Sequence, residues 1–122
     1  MKHFFPLMPR QGRAVFASLS ARVGSIGDNR LGGWYSYRAS KAALNQLVRT
    51  AAIELARTNR EAICVALHPG TVATRLSAPF VAQGQSLLTS DEAAKHLLGV
   101  IERLRIEDSG SFFDWRGTLV PW

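Results

Sequence analysis

Ala62-Ile63-Cys64-Val65-Ala66-Leu67, closed by His68-Pro69-Gly70, is the stretch that decides the fold. Six apolar residues without alternation are the pattern of a strand covered on both faces, as in a parallel sheet, and Pro69-Gly70 ends it. Upstream, Ala14-Val15-Phe16-Ala17-Ser18-Leu19 is a second short apolar run that reads as a buried strand. Between the two, residues 36–58 carry Leu44, Leu47, Val48, Ala51, Ala52 and Leu55 at helical spacing, with the small residues Ala39, Ala42 and Ala43 permitting close packing. Downstream, Thr89-Ser90-Asp91-Glu92 has the form of a capping box. The helix it opens carries Ala94, Leu97, Leu98, Ile101 and Leu104, and Ser111-Phe112-Phe113-Asp114-Trp115 reads as a last strand. Residues 1–12 read as the end of a helix that stops at Pro9 and Gly12, and residues 71–88 as a long loop. Strand, helix, strand, helix, strand argues for a parallel α/β sheet of about three strands.

The bulk properties fit one domain of at most 122 residues. Apolar residues make up 47% of the chain, which is globular in composition. The net charge of +6 comes from 15 Lys+Arg against 9 Asp+Glu. The arginines are scattered, with no basic run, so the excess reads as a solvated surface and no nucleic-acid partner is expected. Cys64 is the single cysteine, which fits a reducing cytosol and a cytoplasmic location. No apolar run approaches the roughly 18 residues a membrane span needs, so no membrane association is expected. His3, His68 and His96 lack ligand-like spacing, and no metal site is expected.

The chemistry concentrates in Tyr37-Arg38-Ala39-Ser40-Lys41. Residues i and i+4 lie on one helix face, so the Lys41 ammonium can approach the Tyr37 ring. A free phenol titrates at about 10 and is a poor acid or base near neutrality, and a neighbouring cation makes it a usable one. On spacing alone an exposed surface pair is the favoured reading, because Tyr-x-x-x-Lys is common by chance. Ligands of parallel α/β sheets bind beyond the carboxyl ends of the strands. The loops after Leu19 and Leu67 both leave such ends, and Tyr37 opens the helix after the first.

Several motifs in order raise the specificity: Ser20-Ala21-Arg22-Val23-Gly24-Ser25-Ile26-Gly27-Asp28-Asn29, then Gly32-Gly33-Trp34-Tyr35-Ser36, the Tyr37–Lys41 pair, Ala42-Ala43-Leu44-Asn45, His68-Pro69-Gly70-Thr71-Val72-Ala73-Thr74 and the closing Phe112-Phe113-Asp114-Trp115-Arg116-Gly117. Together they resemble the catalytic half of the short-chain dehydrogenase/reductase family, in its carbonyl-reductase-like branch. The resemblance implies an NAD- or NADP-dependent oxidoreductase acting on a small carbonyl or alcohol, with Tyr37 as proton donor and Lys41 supporting it and the nicotinamide ribose. It implies a serine that polarises the substrate oxygen. Ser20 is the candidate, although the family often has two adjacent serines and uses the second, where this chain has Ala21; Ser18 and Ser25 could substitute. Pro69, Gly70, Val72 and Thr74 would flank the cofactor, and the helix of residues 36–58 would form a homo-oligomer contact. Trp115 and Trp122 read as core or interface residues, and Tyr35 as packing or entrance lining.

No Gly-x-Gly-x-x-Gly turn occurs in the chain. The resemblance therefore covers the second half of a family domain, residues 1–122, in a partial Rossmann-like doubly wound sheet whose N-terminal half is absent. The chain reads as a fragment or a truncated gene. The competing expectation is a non-catalytic remnant or dimerisation module that cannot bind cofactor alone.

Overall fold

The computed structural model describes residues 1, 3–75, 77–78 and 87–122. Three strands form a parallel sheet in sequence order: β1 (Ala14–Leu19), β2 (Ala62–His68) and β3 (Phe112–Asp114). Ala14 lies opposite Ala62 and Leu19 opposite Leu67, while His68 lies opposite Asp114. Helix α1 (Tyr35–Leu55) joins β1 to β2, and α2 (Ser90–Arg103) precedes β3.

β2 is the centre, and its first six residues are all buried, as the unbroken apolar run requires. Alternate residues face opposite sides. Ala62, Cys64 and Ala66 pack with Val48, Ala51, Ala52 and Leu55 of α1, and with Phe112 and Val120. Ile63, Val65 and Leu67 pack with Val100, Leu104 and Phe113 on the α2 side. The two helices thus cover opposite faces of one sheet. Burial pushes the Cys64 thiol up to about 11. β1 pairs with β2 on one side, and among the described strands none pairs with its other edge.

The expected capping box is present: the Glu92 amide donates to Thr89 Oγ1 at 3.2 Å and the Thr89 amide to Glu92 Oε2 at 2.8 Å. These bonds from Thr89 hold the Glu92 carboxyl below its ordinary range. Three sequence expectations need correction. The start of the chain is a 3-10 turn, Phe5–Leu7, with Pro6 inside it, in place of a helix end. Its rings seat on β1, Phe5 meeting Phe16 edge-on at 5.2 Å. In α2 the buried stripe runs through Ala93, Val100 and Leu104, with Leu97 and Ile101 partly covered, while Ala94 and Leu98 are exposed. Leu97, Ile101 and Leu104 of the expected stripe are kept and the stripe turns toward Ala93 and Val100, because a run of adjacent apolar residues permits two faces and the sheet selects one. In α1, Leu47 is likewise exposed. The expected loop 71–88 lies partly outside the described residues; within it, Val72 bridges Leu88.

Candidate active site

The loop after β1 and the first turns of α1 build the site. α1 starts without a side-chain cap. Gly32 and Gly33 take left-handed backbone angles, φ +65° and +70°, followed by Trp34 at φ 48°. Glycine adopts this conformation freely and a tryptophan does not. Arg38 stabilises the turn from inside the helix: its Nε donates to Gly33 O at 2.9 Å, its second terminal nitrogen to Gly32 O at 2.9 Å and its first to Val23 O at 3.1 Å. Where α1 begins, and hence where Tyr37 stands, follows from these bonds.

Tyr37, Lys41 and Asn45 follow at four-residue steps on one face. The Lys41 ammonium lies 5.9 Å from the centre of the Tyr37 ring and donates to Leu19 O at 3.1 Å, at the carboxyl end of β1. Tyr37 is half-exposed. Gly24 packs against the Lys41 backbone so closely that a Cβ there would lie 2.7 Å from the Lys41 carbonyl carbon.

Ser20 is buried beside this contact. Its amide donates to Leu67 O at 2.8 Å, joining the ends of β1 and β2. Its hydroxyl donates to Asn45 Oδ1 at 2.6 Å, and Asn45 Nδ2 donates to Gly24 O at 3.3 Å. With the carboxamide nitrogen committed to Gly24, its oxygen faces Ser20, so the single Ser20 proton goes to Asn45. Ser25, the other loop serine, is also buried; its hydroxyl donates to Pro121 O and accepts from the Asp28 amide at 3.1 Å. Ser18 lies within β1, paired with Ala66.

The second loop leaves β2 at His68. Gly70 has φ +81°, and a Cβ there would meet the Trp115 indole at 2.9 Å, so close packing against Trp115 excludes any side chain. Thr74 and Val72 are tied by Ser77: the Thr74 amide donates to Ser77 Oγ at 3.0 Å, and that hydroxyl donates to Val72 O. His68 is held below the usual histidine range, first by burial and then by the Arg22 charge, against the pull of Asp114. Burial raises the Asp114 carboxyl, but bonds from Arg116 and from the Thr118 and Arg116 amides outweigh it and hold it below its ordinary value.

The structure therefore places Ser20, Tyr37 and Lys41 around the carboxyl end of β1, and Pro69 and Gly70 beyond the neighbouring end of β2. Tyr35, expected to pack or line an entrance, is 87% exposed at the first position of α1, because the left-handed turn at Trp34 directs it outward. Trp115 stacks on His96 at 4.8 Å and Trp122 on Phe112 at 5.9 Å. Asn45 and Arg38 were not singled out from the sequence. The sequence marks Asn45 only as a polar residue four positions after Lys41, in line with the apolar Val48 and Ala52. Among the described residues, no group of three or more His, Cys, Asp or Glu side chains is placed to hold a metal, and no helix is long and apolar enough to cross a membrane.

The pieces fit one end of a nicotinamide cofactor. Tyr37 and Lys41 offer a hydroxyl and an ammonium at the carboxyl end of a parallel sheet, where such ligands bind. The sequence has no Gly-x-Gly-x-x-Gly turn of the kind that receives a pyrophosphate at a helix N-terminus, and the Gly32-Gly33 turn that opens α1 is bonded by Arg38.

A family model described as enoyl-(acyl carrier protein) reductase matches residues 1–111. The C-signal protein of Myxococcus xanthus is 41% identical over 106 residues, which cover 87% of this chain and 60% of that protein. The NADPH-bound carbonyl reductase from chicken fatty liver superposes with a TM-score of 0.79 at 38% identity, over 89% of this chain and 43% of that one. The carbonyl reductase Sniffer of D. melanogaster gives 0.78 at 32% identity, over 91% and 42%. The chain spans about half the length of the curated relatives it matches, 60%, 45% and 52% for three of them.

Proposed function

Given that the chain belongs to the short-chain dehydrogenase/reductase family, we propose that residues 1–122 form the catalytic half of an NAD(P)-dependent oxidoreductase that reduces a carbonyl, or oxidises an alcohol, on a small molecule. The observation that carries this reading is the Lys41 ammonium 5.9 Å from the Tyr37 ring at the carboxyl end of β1.

A nicotinamide, when bound, supplies or accepts the hydride. Tyr37 gives its phenolic proton to the substrate oxygen as charge develops there, and takes it back in the reverse direction. Lys41 favours the phenolate that remains. Its hold on Leu19 O keeps it at the strand end, from which it would hydrogen-bond the ribose of a bound nicotinamide. Ser20 lends a second hydrogen bond to the substrate oxygen by turning its proton away from Asn45. Pro69, Gly70, Val72 and Thr74 shape the turn along the nicotinamide, Val72 through its backbone. Helix α1 serves as a contact between two copies, with Leu47 and Ile53 exposed on the part the sheet leaves uncovered; light scattering that finds a clean monomer at micromolar concentration would refute that contact.

Tyr37→Phe tests the central assignment, since it removes one oxygen and leaves the fold intact. In an assay of turnover, nicotinamide oxidation followed by its absorbance should fall by at least about a hundredfold. Near-normal kcat with an unchanged circular-dichroism spectrum refutes the role of Tyr37. A second reading is favoured by one observation: the sequence has no Gly-x-Gly-x-x-Gly turn to receive a pyrophosphate. On that reading the 122 residues alone do not bind cofactor and act as a remnant or dimerisation module. Calorimetric titration of the isolated chain with NADH and NADPH separates the two, because micromolar binding excludes the second.

A further inference from the structure

The loop of residues 20–28 carries Ser20 and seats Gly24 against Lys41, with Ser20, Ala21, Gly24 and Ser25 buried and the rest turned outward or half-covered. Arg22, Ile26 and Gly27 are exposed, Ile26 to 77%. Within the loop, the Gly24 amide donates to Ala21 O and the Ser25 amide to Arg22 O, the short-range bonds of one 3-10 turn. Arg38 and Asn45 of α1 hold Val23 O and Gly24 O, and Ser20 is tied to Leu67 O and Asn45, so residues 20–24 are anchored on the helix and the sheet. The long-range anchors of residues 25–27 lie at the far end of the sequence. The Ser25 hydroxyl donates to Pro121 O, 96 residues away, and the Gly27 amide donates to Trp122 O at 2.8 Å. A Cβ on Gly27 would lie 3.2 Å from Trp122 O and 3.3 Å from Pro121 Cβ, so the two segments are in contact along their backbones.

Residues 120–122 are themselves fixed to the core. Val120 is buried and its amide donates to Phe112 O at 2.8 Å. The Trp122 ring stacks on Phe112 with 19° between the planes, and Phe112 is fully buried. Trp122 also closes a small cavity of about 160 Å³ behind the loop, together with Gly24, Ala42 and Asn45. The connection therefore runs from the core, through Phe112 and Trp122, to Ser25 and Gly27, and from there to Gly24 and the Lys41 backbone.

We infer that Pro121 and Trp122 form a clasp for the loop of residues 20–28, and that Ser25 and Trp122 are positioning residues for the Ser20–Lys41 site. The inference deepens the reductase reading and rests on it for its catalytic meaning. The clasp itself is measurable without turnover. Ser25→Ala removes the hydroxyl but leaves the backbone bonds of Gly24 and Gly27 available, so faster exchange at those two amides reports opening of the loop and not loss of their own partners.

The experiment is amide hydrogen exchange, followed by NMR, on the 122-residue chain. In Ser25→Ala and in Trp122→Ala, Gly24 and Gly27 should exchange several-fold to about tenfold faster, the scale of one lost hydrogen bond or ring contact. The amides of Ile63–Leu67 should keep their rates. Trp122→Phe should restore near-wild-type exchange at Gly24 and Gly27, because a phenyl ring can still stack on Phe112. Unchanged Gly24 and Gly27 rates in both alanine variants overturn the clasp. So does an equal acceleration in β2, which signals general destabilisation, and so does a Trp122→Phe variant that behaves as Trp122→Ala does. A failed Tyr37→Phe test touches none of these rates, and a failed exchange test leaves the Tyr37 assignment standing.

Discussion

Replacing Asn45 with alanine should cost the fold about 2–6 kcal/mol, as the loss of partners for two buried groups at about 1–3 kcal/mol each implies. Asn45 is 3% exposed and Ser20 is 4% exposed. The substitution strips the Ser20 hydroxyl of its acceptor at 2.6 Å and Gly24 O of its donor at 3.3 Å, with little water to replace either. Against a total stability of about 5–15 kcal/mol, that is a large fraction. With a urea m-value of about 2 kcal/mol/M, the middle of the usual range, the midpoint should fall by roughly 1–3 M. Ser20→Ala orphans the Asn45 oxygen alone and should cost less, about 1–2 kcal/mol. The two side chains share a bond, so the double variant should be less destabilised than the sum of the singles, by about 0.5–3 kcal/mol. Urea denaturation of the four proteins, followed by circular dichroism, measures all three quantities. A cost below about 0.5 kcal/mol for Asn45→Ala, or strict additivity, would show that the bond is not made in solution.

Gly24→Ala should lower Tm by several degrees, because its Cβ would stand 2.7 Å from the Lys41 backbone, which cannot rotate away, and overpacking of this kind costs about 1–3 kcal/mol; an unchanged Tm refutes the close approach. Stability should also fall on acidification below the ordinary histidine value of 6.5. His68 titrates lower in the fold than in the unfolded chain, so below that pH the unfolded state binds the extra proton, and the stabilisation present above 6.5 is lost as pH falls toward the folded value. Thermal unfolding between pH 7.5 and 5 should show the decline and His68→Gln should flatten it, whereas identical slopes would place the titration elsewhere. Asp114 is depressed from 3.8, so its own loss falls below that pH and does not overlap.

Local, strongly determined features were readable from the residues. The unbroken run Ala62–Leu67 left a doubly covered strand as the best account, and Thr89 with Glu92 fixed the start of α2. Tyr37 and Lys41 were readable because helical spacing turns sequence distance into spatial distance. What escaped was set by partners remote in sequence. The apolar residues from Ala93 to Ile101 allow two neighbouring stripes, and the choice between them belongs to Ile63, Val65 and Leu67. Leu47 fits the period of α1, yet the sheet covers the adjacent stripe. Ser25 and Pro121 are 96 positions apart and share no periodicity that could announce their meeting. Asn45 was hidden by ordinary appearance, since its significance lies in what the Ser20 loop presents to it.

The face of α1 that carries the chemistry is the continuation of the face that carries the core. Lys41, Asn45, Val48, Ala52 and Leu55 descend the helix at steps of four, three, four and three, so each lies within a fraction of a turn of the same line. The lower three are packed against β2 and hold the helix in one rotational setting. A rotation of one residue, about 100°, would expose Val48 and Ala52 and swing Lys41 away from Leu19 O together. The apolar contacts therefore fix the angular position of the ammonium, and the Gly24 contact fixes its height above the sheet. No other residue type at position 24 permits that height, because the clash falls on the Lys41 backbone itself. The placement of Lys41 beside Tyr37 thus follows from core packing and one glycine, and a substitution in that packing line should reach the site as a displacement of Lys41 before it reaches the fold as a loss of sheet.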